Sequence, residues 1–349
     1  MRWWAWDCGV SVGNRATLSA GRACDNTGAG LPWRAWPFNW PGVPSCVVAV
    51  IATYRRPELL RRALASLASA GPGLTGVVVV NNGGDAETAA VAAAAPVPNP
   101  RVVTPPENLG AAGGVAAGLR AVFSEPSATH AWILDDDAVA TPGALSALLA
   151  ALATAGAEAA SAMVTDARGI VTWFPGPLPQ PAWNVIRSGV TPEQFRARCG
   201  TAPQPWAWAT WASLVVSRRA VETVGWPEAR LWYQGTDIDY TLRLSARFRC
   251  VLAPDAVCPH LPPPENTERR RIKDLWSLQN GAYVSVRLRH GRRLLRHLPG
   301  NHFRYWRSRG YSLRGLGESA GAFWRGALRG RPVGLETFAR ALSHELTRP

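Results

Sequence analysis

From residue 46 onward the chain alternates short unbroken apolar runs with longer segments whose apolar positions recur every three or four residues. "CVVAVIAT" is of the first kind and predicts a buried strand. "PELLRRALASLAS" is of the second and predicts an amphipathic helix, with Pro57 in its first turn. The pairing recurs in "GVVVVNNGGD" with "ETAAVAAAA", in "PRVVT" with "NLGAAGGVAAGLRAVF", and in "AWILDDD" with "PGALSALLAALATAG". The Ala-dominated run over 144–163 carries Glu158 and predicts a soluble helix rather than a membrane span. Repeated strand–helix alternation predicts an α/β fold, a mostly parallel sheet with helices on both faces.

Past residue 160 the pattern loosens. "WAWATWASLVVSRRAVETVGW" predicts one or two strands and a short helix, and "GTDIDYTLRLSARFRCVLAPDAVCPH" a helix followed by a strand. From 266 the chain is helical and strongly basic, as in "NTERRRIKDLW", "VRLRHGRRLLRHL" and "HFRYWRSRGYSLRG". Residues 1–44, rich in Trp, Gly, Pro and Asn without a helix or strand period, predict an irregular extension. The expected organisation is therefore 1–44, a catalytic domain over 45–265, and a basic helical extension over 266–349.

With 349 residues, 47% of them apolar, the chain can build one large core or two modest ones. Its 38 basic against 24 acidic side chains give +14, and Lys273 is the single lysine. A GC-rich genome accounts for arginine over lysine, but not for the excess over acids, which points to an anionic partner. Six cysteines contain no C-x-x-C pair, so reduced thiols in a cytoplasmic protein are expected, and the first residues lack a signal peptide's aliphatic core.

The chemistry concentrates in "WILDDD". In an open parallel sheet, ligands bind outside the carboxyl ends of the strands, where Asp135, Asp136 and Asp137 fall. If the extended backbone persists, Asp135 and Asp137 face one side and Asp136 the other. Two carboxylates about 6 Å apart repel by roughly 2–3 kcal/mol at an effective dielectric near 20. A hard divalent cation, Mg²⁺ or Mn²⁺, removes that penalty and takes phosphate oxygens at its remaining positions. Capping of the following helix by one Asp is the plainer alternative.

Three enzyme readings follow. A P-loop enzyme needs G-x-x-x-x-G-K-[ST], which is absent. An aspartyl-nucleophile phosphatase could use "DDDAV", but its phosphate-clamping lysine would precede a second acidic motif, whereas Lys273 follows all of them. The third is a metal-dependent transferase acting on a nucleotide-sugar. A non-catalytic Arg-rich adaptor, for membrane or nucleic acid, stands beside these.

The ordered motifs "VIATYRRPELLRRALASL", "VVVVNNGG", "ENLGAAGGVAAGL", "WILDDD", "GTDIDYTLRL" and "CPH" resemble an inverting family 2 glycosyltransferase of GT-A fold over about residues 46–290. The "ENLG" segment with "GG" and the triple Asp are most similar to its galactofuranosyl- and rhamnosyltransferase branch. The resemblance implies that Thr53, Tyr54 and Arg56 line the nucleotide. Asn81 stands where relatives carry an Asp for base or ribose, and Asn108 and Gly110 open a donor loop. It implies Asp135 and Asp137 at metal and ribose, Asp136 toward the donor sugar, and His260 as third metal ligand. Asp237 falls at the catalytic base, with Thr236 replacing the acid that frequently precedes it. Asp239 would hold Arg243 at i,i+4. The implied partners are a nucleotide-sugar donor, with UDP or dTDP, and a glycan or glycolipid acceptor.

Trp206, Trp208 and Trp211 suit either an acceptor platform or the core. The basic tail mixes Arg with aromatic and Leu residues. It carries no nucleic-acid motif and has the composition of helices that lie on an anionic surface, so peripheral docking on the inner leaflet is expected.

Overall fold

The computed structural model describes residues 45–264, 267–287 and 298–329. The expected extension over 1–44 and the basic runs over 288–297 and 330–349 lie outside them.

Strand β1 (Val47–Thr53) is followed by α1 (Pro57–Leu67), β2 (Leu74–Asn81), α2 (Ala86–Ala93), β3 (Pro100–Val103), α3 (Gly110–Phe123), β4 (His130–Asp135) and α4 (Ala144–Ala155). Then come β5 (Ala159–Thr165), α5 (Ala182–Arg187), α6 (Pro192–Cys199), β6 (Gln204–Pro205), β7 (Ser213–Ser217), α7 (Arg218–Val224), a 3₁₀ turn (Ala229–Leu231), α8 (Thr236–Ser245) and β8 (Cys250–Pro259). The long α9 (Thr267–Arg287), α10 (Leu298–Ser308) and α11 (Leu313–Arg329) complete the described chain.

The strands form one sheet in the order β3-β2-β1-β4-β7-β5-β8-β6. β1 to β4 are mutually parallel, and β7 runs antiparallel to both its neighbours. Alternation along β1 divides the core. Val48 and Val50 join Val78, Val80 and Leu119 on one face, while Val47, Ala49 and Ile51 join Val77, Val79 and Leu64 on the other. Both faces are apolar because helices cover both.

The Ala-rich run over 144–163 is not one helix. It breaks at Gly156, whose φ of +57° a side chain would resist, and its second half becomes the fully buried β5. Pairing with β7 and β8 overrides the helix preference of alanine there.

Helix α3 lies unusually close to the sheet. A Cβ at Gly118 would stand 2.4 Å from Val50 Cγ1 and 3.2 Å from Val80 Cγ2. Gly118→Ala should therefore lower stability by about 1–2 kcal/mol in urea denaturation, overpacking exceeding the helix propensity gained.

Candidate active site

Because β1, β2 and β4 are parallel neighbours, their carboxyl ends share one edge. Thr53 is paired with Asn81, and Asp135 sits opposite Ala52. Beyond Asp135 the chain turns, with the Ala138 amide donating to Asp135 O at 3.2 Å. The turn keeps the expected partition of the three acids only in part, because Arg56 bridges Asp136 and Asp137. Asp136 points back toward β1, where it accepts from Thr53 Oγ1 at 2.7 Å and Arg56 at 3.1 Å. Asp135 turns away from Arg56, while Asp137 reaches in both directions, its Oδ2 3.6 Å from the same Arg56 nitrogen.

What Asp135 and Asp137 share is His260. Past β8 the chain runs beside the acidic turn, held by Val139 N to Pro259 O and Leu261 N to Asp137 O, each 2.8 Å. This lays His260 Nε2 2.9 Å from Asp137 Oδ1 and 3.6 Å from Asp135 Oδ2. The ring's far side meets the edge of Trp173, and its buried Nδ1 has no hydrogen-bond partner.

Each of Asp135, Asp137 and His260 offers a ligand atom within 4.8 Å of the others. Two carboxylate oxygens and an imidazole nitrogen suit Mn²⁺ or Mg²⁺. The electrostatics fit too. Burial pushes Asp135 up to about 7, against the pull of His260 and reinforced by Asp137, Asp136 and Asp237. Burial also lifts Asp136, despite Arg56 and Thr53. At Asp137 burial is outweighed by the hydrogen bond and charge of His260, and the carboxyl lies below its ordinary range. His260 is likewise held above the usual imidazole value, burial losing to the bond with Asp137. Three acids against Arg56 and one imidazole leave room for another positive charge.

Asp237 occupies the first turn of α8, after Gly235, whose φ of +74° starts the helix. Its Oδ1 accepts from Ile238 N at 2.9 Å. Its sheltered position pushes it up to about 6, and Asp135 feels its charge. Asp239 faces the opposite way. It is fully buried and paired with Arg243 at 3.0 Å, as the i,i+4 spacing predicts.

On the donor side, Asn81 is buried and donates to Asp85 O, leaving its Oδ1 without a partner. Tyr54 is half-buried beneath the Arg55 guanidinium, 5.4 Å from its ring centroid. Asn108 Oδ1 accepts from Gly110 N at 2.9 Å. The glycines of this loop pack against protein: a Cβ on Gly110 would lie 2.4 Å from Trp232 O, and one on Gly114 2.6 Å from Asn82 Nδ2. Trp206 and Trp211 are buried in the core cluster, so they offer no acceptor platform, and Trp208 is only half-buried.

Sequence reasoning missed the segment between the 3₁₀ turn and α8 and what holds it. Trp232 and Gln234 have φ of +53° and +54°. Asn280 of α9, itself fully buried, lays Nδ2 2.7–2.9 Å from Leu231 O, Tyr233 O and Gln234 O, its two N–H groups shared among the three carbonyls. Trp276 stacks on Trp232 at 5.4 Å. The expected boundary at 265/266 falls at residues outside those described, and beyond it α9 supports the loop leading into Asp237. Only the bulky aromatics of "LWYQG" hinted at this. Asn280→Ala is expected to cost on the order of 2 kcal/mol, one buried and two part-buried carbonyls losing a shared donor pair, and to reduce turnover while leaving metal affinity unchanged in calorimetry.

A strand-end carboxylate cluster with a facing histidine, on this sheet order, defines a glycosyltransferase of GT-A type. Residues 44–278 match the family model described as glycosyltransferase-like family 2. The chain belongs to that family. No curated protein sequence matches it. Among solved structures it resembles S. aureus TarS 1-349 (16% identity, TM-score 0.51, covering 81% of each chain). It also resembles the mannosyltransferase PcManGT from Pyrobaculum calidifontis in complex with GDP-Man and Mn²⁺ (19% identity, TM-score 0.52, covering 87% of this chain and 81% of that one). TarS has also been solved with UDP-GlcNAc (15% identity, TM-score 0.51, covering 79% of each chain). Family membership displaces the phosphatase and the non-catalytic adaptor.

Proposed function

We propose that the protein transfers a galactofuranose- or rhamnose-type sugar from a UDP- or dTDP-sugar to a lipid-linked bacterial cell-envelope glycan, with inversion, working as a peripheral protein on the cytoplasmic face of the membrane. The observation that carries the transferase reading is the cluster of Asp135, Asp137 and His260, with Asp237 near enough for its charge to act on Asp135. Donor complexes of TarS and PcManGT support a nucleotide-sugar, and the sequence likeness of "ENLGAAGG" and "LDDD" supports the furanosyl and rhamnosyl branch.

In this reading Asn81 Oδ1 accepts from the base or ribose, and Tyr54 covers it. Asp135, Asp137 and His260 hold a Mn²⁺ or Mg²⁺ ion, which when bound supplies Lewis-acid neutralisation of the diphosphate. Arg56 and Thr53 fix Asp136, one on each carboxylate oxygen, which keeps the acidic turn in place beside the donor sugar. Asp237 takes the proton of the acceptor hydroxyl as that oxygen bonds to the anomeric carbon. The bond from that carbon to the diphosphate breaks with its electron pair leaving on phosphate. Attack from the face opposite the leaving group inverts the centre.

A thermal-shift panel of UDP-, dTDP- and GDP-sugars with and without Mn²⁺ tests it. A metal-dependent rise with one nucleotide class is expected, and no rise with any of them overturns the reading.

A further inference from the structure

Helix α11 is built inside out. Its inward face, against α9, carries Gly315, Ser319, Ala322 and Gly326, spaced at i, i+4, i+7 and i+11 and all buried. A Cβ at Gly326 would lie 1.9 Å from Gln279 O, so nothing larger fits there. Three of its five bulky apolar side chains are exposed instead, Leu313 at 85%, Trp324 at 55% and Leu328 at 73%, while Leu316 and Phe323 are half-buried. An ordinary amphipathic helix of a globular protein buries such residues and exposes the small ones.

The turn into this helix continues the pattern. Gly310 and Tyr311 both take positive φ, +63° and +58°, and the half-exposed rings of Phe303 and Tyr311 cluster with Trp306 at centroid distances of 5.1–6.3 Å. Charge completes it. Between Leu298 and Arg329 stand six arginines and one acid, Glu318. That carboxylate is occupied by Tyr305 Oη at 2.6 Å, Arg314 Nε at 3.0 Å and Arg309 Nε at 3.3 Å. Arg307 is exposed, and the Arg314 side chain is 80% exposed.

From this we infer that the outward face of α10 and α11 is a docking surface for an anionic lipid bilayer, with Leu313, Trp324, Leu328 and the Phe303–Tyr311 pair entering the interface and the arginines meeting lipid phosphates. Aromatic rings and arginine alone would also suit single-stranded nucleic acid. Leucines at 85% and 73% exposure have no use against bases or phosphates and suit acyl chains. Among the described residues no helix is long and apolar enough to cross a membrane, so the contact is one of lying on the surface. The inference names the surface behind the peripheral location proposed above and does not depend on the transferase chemistry.

The test is co-sedimentation of the full chain with vesicles of phosphatidylcholine alone or mixed with phosphatidylglycerol. Wild type should pellet with the mixed vesicles, weakly with the neutral ones, and less as salt rises. The triple variant L313S/W324S/L328S should lose at least tenfold in partitioning, and Arg307→Ala about fivefold, the equivalent of roughly 1 kcal/mol per charge near an anionic surface. The triple variant should keep its circular dichroism and its donor-induced thermal shift. Asp137→Ala should bind vesicles like wild type, which separates failure here from failure of the catalytic reading. Equal binding to both vesicles, or no loss in the triple variant, overturns the proposal. So does a dimer in light scattering, tight binding of a DNA or RNA oligonucleotide, or binding gained on removing residues 330–349, if the triple variant abolishes that property while vesicle binding is absent from wild type.

Discussion

Asp237→Asn should lower turnover about 1,000-fold, within the span that a positioned general base contributes. The variant is nearly isosteric. Its Oδ1 can still accept from Ile238 N, so α8 keeps its first turn and Gly235 its conformation. Donor and metal binding should therefore match wild type in calorimetry, with the loss confined to turnover. The pH profile gives the same residue a second signature. A base must be unprotonated, and the sheltered position of Asp237 raises its carboxyl to about 6. With metal saturating, so that its ligands stay ionised, the rate should thus be full above that value and fall about tenfold for each pH unit below it. In Asp237→Asn the residual rate should lose that acid limb. Asp239→Asn is the control: two residues away and tied to Arg243, it should destabilise the protein while leaving the acid limb in place. A variant at 237 that retains a tenth of wild-type turnover would remove it from the base role.

The sheet and the acidic site are legible for a shared reason: each rests on local sequence. Apolar runs such as "VVAVIAT" and "GVVVV" announce strands buried on both faces, and the strand-end rule then places Asp135 without tertiary information. The i,i+4 pair of Asp239 and Arg243 is likewise written within one helix turn. What escapes depends on contacts distant in sequence. Ala159–Thr165 reads as helix because alanine favours helix, and it becomes strand because β7 and β8 flank it. Asn280 gives no signal, since its role is to face carbonyls 46–49 residues earlier in the chain. The glycines of "GAAGGVAAG" signal close approach but not its object, which is Trp232, Asn82 and Val50. The tail's composition suggests a surface helix, yet only packing shows that the small residues of α11 turn inward.

Asp137→Ala should be the second severe lesion, distinguishable from the first by what it does to metal. Asp137 is the best-placed ligand: it lies 2.9 Å from His260 and is the one acid of the three held below its ordinary range, so it is ionised when a cation arrives. Its removal leaves Asp135 as the one carboxylate of the trio beside His260. Mn²⁺ affinity, read by the loss of the free-ion signal in electron paramagnetic resonance, should fall at least 100-fold. Turnover should fall by two to three powers of ten, the equivalent of several kcal/mol of charge stabilisation at the departing diphosphate. Stability should behave differently. The Leu261 amide bonds to the backbone carbonyl of residue 137, so the crossing of the two segments survives the truncation. Truncation also removes the bond to His260 and the 3.6 Å contact with Arg56, with relief of crowding against Asp135 acting in the opposite direction. The expected signature is a folded but inactive protein whose melting temperature no longer responds to manganese. Wild-type turnover in Asp137→Ala, or an unchanged manganese titration, would move the metal away from this cluster.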